Sequence, residues 1–389
     1  MKIIRNYLPE QYKRTAAPAI NHNYLQQQFA DYEDILAKIK LLVKKGDYTL
    51  GTSVDEFEDN IKKLTGSRFA IGVGSGTDAI FLSLKAAGIG AGDEVLTTPY
   101  TFMATIGAIV ATGARPVFVD IAEDYNIDSE LIAPGISPRT KAIVPVHWSG
   151  LPCRMDAIMR IARKHKLAVV EDSCHGVRAY YKGKAAGTFG LCGCFSMHPL
   201  KNLNVWGDGG YIVTDSEKIR AKLVLLRNHG LMNRNECKIF GYNSRLDSIQ
   251  AVVANHLLRK IDAITNARIA HARRYDELLC DIKEIIVPSR SPDAVQVYHL
   301  YVIRAERRDA LQEFLLKNGI DAKIHYPIPM HLQPAARQYG YRAGDFPVCE
   351  RTCKSVISLP VHEFITNQQV DFVVKKIREF YICRMTKRT

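Results

Sequence analysis

Between residues 68 and 214 short continuous apolar runs alternate with longer amphipathic stretches. Phe69 to Val73, Glu94 to Leu96, Pro116 to Val119, Lys141 to Val146 and Leu167 to Val170 predict strands. Thr77 to Ala87, Thr101 to Ala111 and Met155 to His165 predict the helices between them. Strands that are apolar throughout, rather than at alternate positions, suit a sheet buried on both faces. Their alternation with helices predicts a mainly parallel sheet of the α/β class. Ligands in such sheets sit at the carboxyl ends of the strands, so the residues after each strand are the ones to read for chemistry.

Upstream, apolar residues at helical spacing from Leu25 to Val43 predict one helix, with Gly46 placed to end it. Residues 1–20 read as a loosely attached lead-in. Downstream of about residue 262 the texture changes. A charged helix (Ile264 to Leu279) precedes a strand (Val297 to Ile303), a helix (Arg308 to Lys317) and a strand near Ala322 to Ile324. Thr366 and Gln369 form a capping box for a last helix to Tyr381. The pattern predicts a large domain over 21–262 and a smaller α+β domain over 263–389. With 389 residues and 47% hydrophobic positions, the chain can bury two cores. No apolar run reaches the roughly 20 residues that a membrane span needs. The start, Met1-Lys2-Ile3-Ile4-Arg5, shows no apolar leader, so the expected compartment is the cytoplasm.

The formal net charge is +13. The basic residues are scattered, and pairs such as Lys44-Lys45, Arg307-Arg308 and Lys375-Lys376 read as solvated faces. No basic stretch is interleaved with aromatics, so nucleic acid is not an expected partner. A phosphorylated substrate suits the sign of the charge. Nine cysteines occur without a C-x-x-C. The Cys192/Cys194 and Cys349/Cys353 spacings complete no zinc-ligand pattern, which predicts reduced thiols and no metal site.

Three strand ends carry candidate chemistry. Gly74-Ser75-Gly76-Thr77 opens a helix, where small residues and free N–H groups can approach an anion. Glu171-Asp172 closes an apolar strand and aims a carboxylate at the ligand crevice. Lys201 stands in Ser196-Met197-His198-Pro199-Leu200-Lys201-Asn202, ahead of Gly207-Asp208-Gly209-Gly210. Each alone also fits a plain turn, a turn cap or a surface lysine. In this order they suit an anion loop, a partner for a ring nitrogen and a lysine that joins an aldehyde cofactor.

At these residues the chain resembles the DegT/DnrJ/EryC1/StrS sugar aminotransferases. The resemblance runs from about Tyr24 onward, through GDYTLG (46–51), SGTDA (75–79), GAGDEVLTTPYTF (90–102), ARPVFVDI (114–121), TKAIVPVH (140–147), VVED (169–172), GTFG (187–190), CFSMHPLKN (194–202), GDGG (207–210) and GYNSRLDSIQA (241–251). It implies the fold type I architecture of pyridoxal-phosphate enzymes. It implies that Lys201 carries the cofactor and moves protons, and that Asp172 pairs with the ring nitrogen. Gly76, Thr77 and Ser196 would hold the phosphate, and Phe102 would stack on the ring. Asn243 would reach the phosphate of a neighbouring subunit, which implies a homodimer with shared sites.

Two positions depart from the family pattern: His175 stands where Gln is common, and Arg178 where Gly is common. His175 would then meet the phenolic oxygen of the cofactor. NSRLD (243–247) and HYPIP (325–329) resemble the branch acting at C3 of nucleotide-linked keto-sugars, with Arg245, His325 and Tyr326 lining the sugar site. The implied activity is transfer of the amino group of L-glutamate to such a sugar, for example a dTDP-linked 3-keto-6-deoxyhexose, in amino-sugar biosynthesis. The alternatives are amination at C4 and a non-catalytic, cofactor-binding regulatory member.

Overall fold

The computed structural model describes residues 19–382. The expectations for residues 1–18 and 383–389 lie outside the described residues. Seven strands form the central sheet: β1 (Phe69–Val73), β2 (Glu94–Thr97), β3 (Arg115–Phe118), β4 (Thr140–Val144), β5 (Ala168–Asp172), β6 (Cys192–Ser196) and β7 (Gly210–Thr214). Their order is β1-β7-β6-β5-β4-β2-β3. All run parallel except β7, which is antiparallel to both β1 and β6. The sheet is thus mainly parallel, as expected, and strands β6 and β7 add to those read from the sequence.

Burial on both faces explains the uninterrupted apolar runs. In β5, Val169 and Val170 enter cores on opposite sides of the sheet. In β7, Tyr211 and Val213 pack on one side and Ile212 on the other. Helices Gly76–Ala86 and Met103–Ala111 cover one face. Helices Tyr32–Lys45, Thr52–Thr65 and Ser248–Leu258 help enclose the core around β7.

The long helix expected over Leu25 to Val43 is two helices, Leu25–Gln28 and Tyr32–Lys45. Tertiary polar contacts interrupt it. The buried Gln28 accepts from Asn204 Nδ2 at 2.6 Å, and Asp31 is held by His256 and Lys260. Gly46 closes the second helix in the left-handed conformation, φ 67°. Helix Thr52–Thr65 has no counterpart in the sequence reading, although Val54, Phe57 and Ile61 are its buried stripe.

A second core gathers helices Ile261–Leu279, Arg308–Lys317 and Asn367–Ile382 around a three-stranded antiparallel sheet: β8 (Ile285–Ile286), β9 (Tyr301–Ala305) and β10 (Val356–Leu359). Ile20 packs into this core and bridges to Ile320, so the end of the expected lead-in is anchored. The strand expected at 322–324 is a single bridge between Lys323 and Ser358. Thr366 and Gln369 form the capping box, with N–H to side-chain oxygen distances of 2.9 and 3.2 Å. Eight cysteines among the described residues are free thiols, five of them buried. Among the described residues no helix is long and apolar enough to cross a membrane.

Candidate active site

Because β1, β2, β5 and β6 run parallel, their carboxyl ends meet at one edge of the sheet. A cavity of about 430 Å³ opens there. It is lined by Gly76, Thr77, Phe102, Asp172, His175, Ser196, Lys201, His325 and Tyr326, nine of the residues singled out from sequence. Asn243 and Arg245 do not line it. Asn243 is exposed, and Arg245 Nη1 donates to Asn228 Oδ1 at 3.0 Å.

The glycine loop after β1 is shaped by close approach. A Cβ on Gly76 would lie 2.6 Å from Ser196 Cβ and 2.9 Å from Cys174 Sγ. Gly210, which pairs with both Val73 and Ser196, would meet the Ser75 carbonyl at 2.4 Å. Ser75 caps the helix by accepting from Asp78 N at 3.1 Å. The first turn of that helix therefore faces the cavity with Ser75, Gly76 and Thr77 at its mouth, a cradle suited to a phosphate.

Asp172 is held at the end of β5 from two sides. Its Oδ2 accepts from Thr105 Oγ1 at 2.7 Å, and its Oδ1 from Cys174 N at 3.2 Å. Thr101 Oγ1 lies 2.7 Å behind Thr105 Oγ1. Neither threonine was singled out from sequence. Their roles become visible only once helix Met103–Ala111 is seen to lean on β5. The neighbouring Glu171 points the other way and is fully buried. It accepts from the backbone of Gly187, Phe189 and Gly190 and bonds His147 Nε2 at 3.0 Å. Because Cys153 N donates to His147 Nδ1, the imidazole proton is on Nε2. Adjacent carboxylates thus divide the work: Glu171 fixes the loop and Asp172 faces the site.

Lys201 sits in a loop tied by the asparagines that follow it. Asn202 Nδ2 donates to Val297 O at 3.1 Å, and Asn204 Nδ2 to Lys201 O at 2.8 Å. Burial lowers the Lys201 pKa from its ordinary value, partly opposed by Cys174 and Asp172. A lowered pKa enlarges the fraction of neutral amine, the form that attacks a carbonyl.

His175 packs against Trp148 and His299, with ring centroids 5.4 and 4.2 Å away. Burial, followed by the charge of Lys201, holds it well below the usual histidine value, so it is neutral. His299 also lines the cavity and is a further residue that the sequence reading missed. His325 Nδ1 bonds Ser358 Oγ at 2.9 Å, and burial lowers its pKa to about 4. Tyr326 packs between Phe102 and Trp148, and burial raises its phenol. Arg178 adopts φ 65°, a conformation that glycine takes without cost. Its ion pair with Asp262 at 2.7 Å and its bond to Tyr180 Oη at 2.6 Å offset that strain.

The set fits a pyridoxal-type cofactor. A cradle that a single Cβ would fill, a buried carboxylate held by donors and a desolvated lysine share one cavity. Comparison with known proteins agrees. Residues 30–378 match the model of the DegT/DnrJ/EryC1/StrS aminotransferase family. The chain is 38% identical to a "Pleiotropic regulatory protein" of Geobacillus stearothermophilus, over 92% of this chain and 97% of that one. It is 37% identical to dTDP-3-amino-3,4,6-trideoxy-alpha-D-glucose transaminase of Streptomyces venezuelae, over 90% and 94%. The crystal structure of S. venezuelae DesV in complex with ketimine intermediate superposes with a TM-score of 0.91 at 36% identity, covering 94% of this chain and 99% of that chain. The chain belongs to the DegT/DnrJ/EryC1/StrS aminotransferase family, with the fold type I architecture and pyridoxal phosphate as its cofactor.

Proposed function

We propose that the protein moves the amino group of L-glutamate to C3 of a nucleotide-linked keto-sugar, with a dTDP-linked 3-keto-6-deoxyhexose as first candidate. The observation that carries this reading is the single cavity joining Lys201 and Asp172 to His325 and Tyr326. The names of the Streptomyces relatives support the sugar and the carbon.

In this reading Lys201 carries the cofactor. When bound, pyridoxal phosphate supplies an electron sink for negative charge on the carbon that bears the amino group. Asp172 keeps the ring nitrogen protonated, and Thr105 keeps Asp172 in place. Gly76, Thr77 and Ser196 would hold the phosphate, Phe102 would pack on the ring, and neutral His175 would donate one hydrogen bond to the phenolic oxygen. Displaced by the glutamate amine, Lys201 Nζ takes the proton from Cα; the amino group is handed over, water supplies the keto oxygen, and 2-oxoglutarate leaves. In the second half the C3 carbonyl oxygen of the sugar leaves as water as the amino group takes its place, and Lys201 Nζ delivers a proton to C3. His325 and Tyr326 orient the sugar, with Arg245 at the rim. Asn243, exposed and outside the lining of its own cavity, serves the phosphate of a second copy in a homodimer.

The Geobacillus relative's name gives a second reading, a regulator that binds the cofactor without turnover. L-Glutamate added alone to the loaded protein separates the two. An aminotransferase loses the visible absorbance of its cofactor and releases one 2-oxoglutarate per site. A regulator leaves the spectrum unchanged.

A further inference from the structure

A second cavity, of about 70 Å³, adjoins the first. His299, His325, Leu200 and Leu300 line both. The smaller one is walled in addition by His22, Lys323, Arg268 and His362. Among the described residues no carboxylate lines it. Asp321, 2.7 Å from Lys323 Nζ, and Glu363, 3.4 Å from Arg268 Nη2, stand behind the cations rather than in the pocket.

Part of this hydrogen-bonding capacity is spent and part is not. His362 accepts from Phe364 N and donates to Asn21 O. His22 Nδ1 and His299 Nδ1 are buried without a partner. Such groups cost free energy unless something supplies the missing bond. His325 Nδ1 is engaged by the Ser358 hydroxyl, which leaves its Nε2 for another partner. The volume exceeds the roughly 10–15 Å³ that one water occupies. It admits a carboxylate and is far too small for a nucleotide.

We propose that the pocket between His22, Arg268, Lys323 and His325 is a carboxylate subsite of the reaction cavity. It takes either the side-chain carboxylate of a dicarboxylic amino donor or a C6 carboxylate on the sugar. The inference rests on the reading of the main cavity as the place where donor and sugar react. The electrostatics agree. Burial first, then the neighbouring Lys323 and Arg268 cations, hold His22 well below its ordinary pKa. A bound carboxylate joins Asp321 and Glu363 as a counter-charge to Lys323 and Arg268, from the pocket side.

The test uses the cofactor-loaded enzyme and two matched pairs of ligands. L-Glutamate is compared with L-glutamine by the concentration dependence of the loss of cofactor absorbance. UDP-glucuronate is compared with UDP-glucose, which differs at C6, by calorimetric binding. The proposal expects a preference of at least about tenfold for the carboxylate in one pair, falling below about threefold in Lys323→Met and in His22→Gln, as loss of a charge-assisted hydrogen bond requires. The pair that responds identifies the source of the carboxylate. The two substitutions lie on separate segments, and an unchanged cofactor spectrum in either shows an intact site. Equal affinities within both pairs, as for a pocket that holds only water, overturn the proposal. So does a preference that survives both substitutions. If neither UDP-sugar nor dTDP-glucose binds while the glutamate preference behaves as expected, the nucleotide-sugar reading fails and the subsite stands.

Discussion

Thr105 Oγ1 donates to Asp172 Oδ2 at 2.7 Å, and this bond carries the orientation of the carboxylate at the head of the site. Thr101, 2.7 Å from the same hydroxyl, can donate to it in turn and fix its proton toward Asp172. Thr105→Val removes a hydrogen bond to a charged acceptor without removing volume. We expect kcat to fall by on the order of tenfold to a hundredfold, with little change in KM for glutamate. Thr105→Ser should recover most of the loss. Steady-state kinetics with the cofactor spectrum as control decides it. An unaltered kcat in Thr105→Val would show that Asp172 needs no such support.

The histidines give a pH dependence with a definite sign. His325 and His362 have pKa values lowered to about 4 by burial, against an ordinary value near 6.5. The unfolded chain therefore binds these protons at a higher pH than the folded one does. Stability is complete above about pH 6.5 and is lost as pH falls toward 4. Thermal unfolding midpoints should drop steadily over that window. A flat profile would mean that the imidazoles are charged in the fold. His175, held neutral by burial, should add no titration of its own. His175→Gln is expected to keep substantial activity, and its cofactor absorbance should titrate as the wild type does between about pH 5 and 9. An extra step in the wild type alone would show a cationic His175 at the ring.

The fold was largely legible because its physics is local and repetitive. Apolar strands such as Leu167 to Val170 are buried on both faces and announce themselves. The strand ends then narrow the search to Gly76, Asp172 and Lys201. What was not legible depends on packing between distant segments. The break at Phe29 to Asp31 comes from Asn204, His256 and Lys260, which lie far along the chain. Thr105 and His299 are unremarkable in sequence and join the site only through the way their elements lean on it. Asn243 and Arg245 illustrate the converse. Their motif is plain in the sequence, yet the cavity of their own chain excludes them.

That exclusion leads to a complementation experiment. Lys201→Ala and Asn243→Ala should each be inactive as separate homodimers. In a mixed dimer one site takes both defects and the other takes neither. Co-refolding the two chains in equal amounts should therefore return roughly a quarter of wild-type activity, since about half the dimers are mixed and each has one intact site. No recovery, with mixed dimers shown by mass spectrometry, would refute a shared site.

The central claim is amination at C3 by a cofactor seated on Lys201. The most direct measurement supplies the loaded enzyme with ¹⁵N-labelled L-glutamate and, separately, nucleotide-linked 3-keto and 4-keto sugars, and locates the nitrogen by NMR. The account predicts ¹⁵N on C3 of the 3-keto sugar, and none with Lys201→Ala. Nitrogen on C4, or transfer that persists without Lys201, would contradict it.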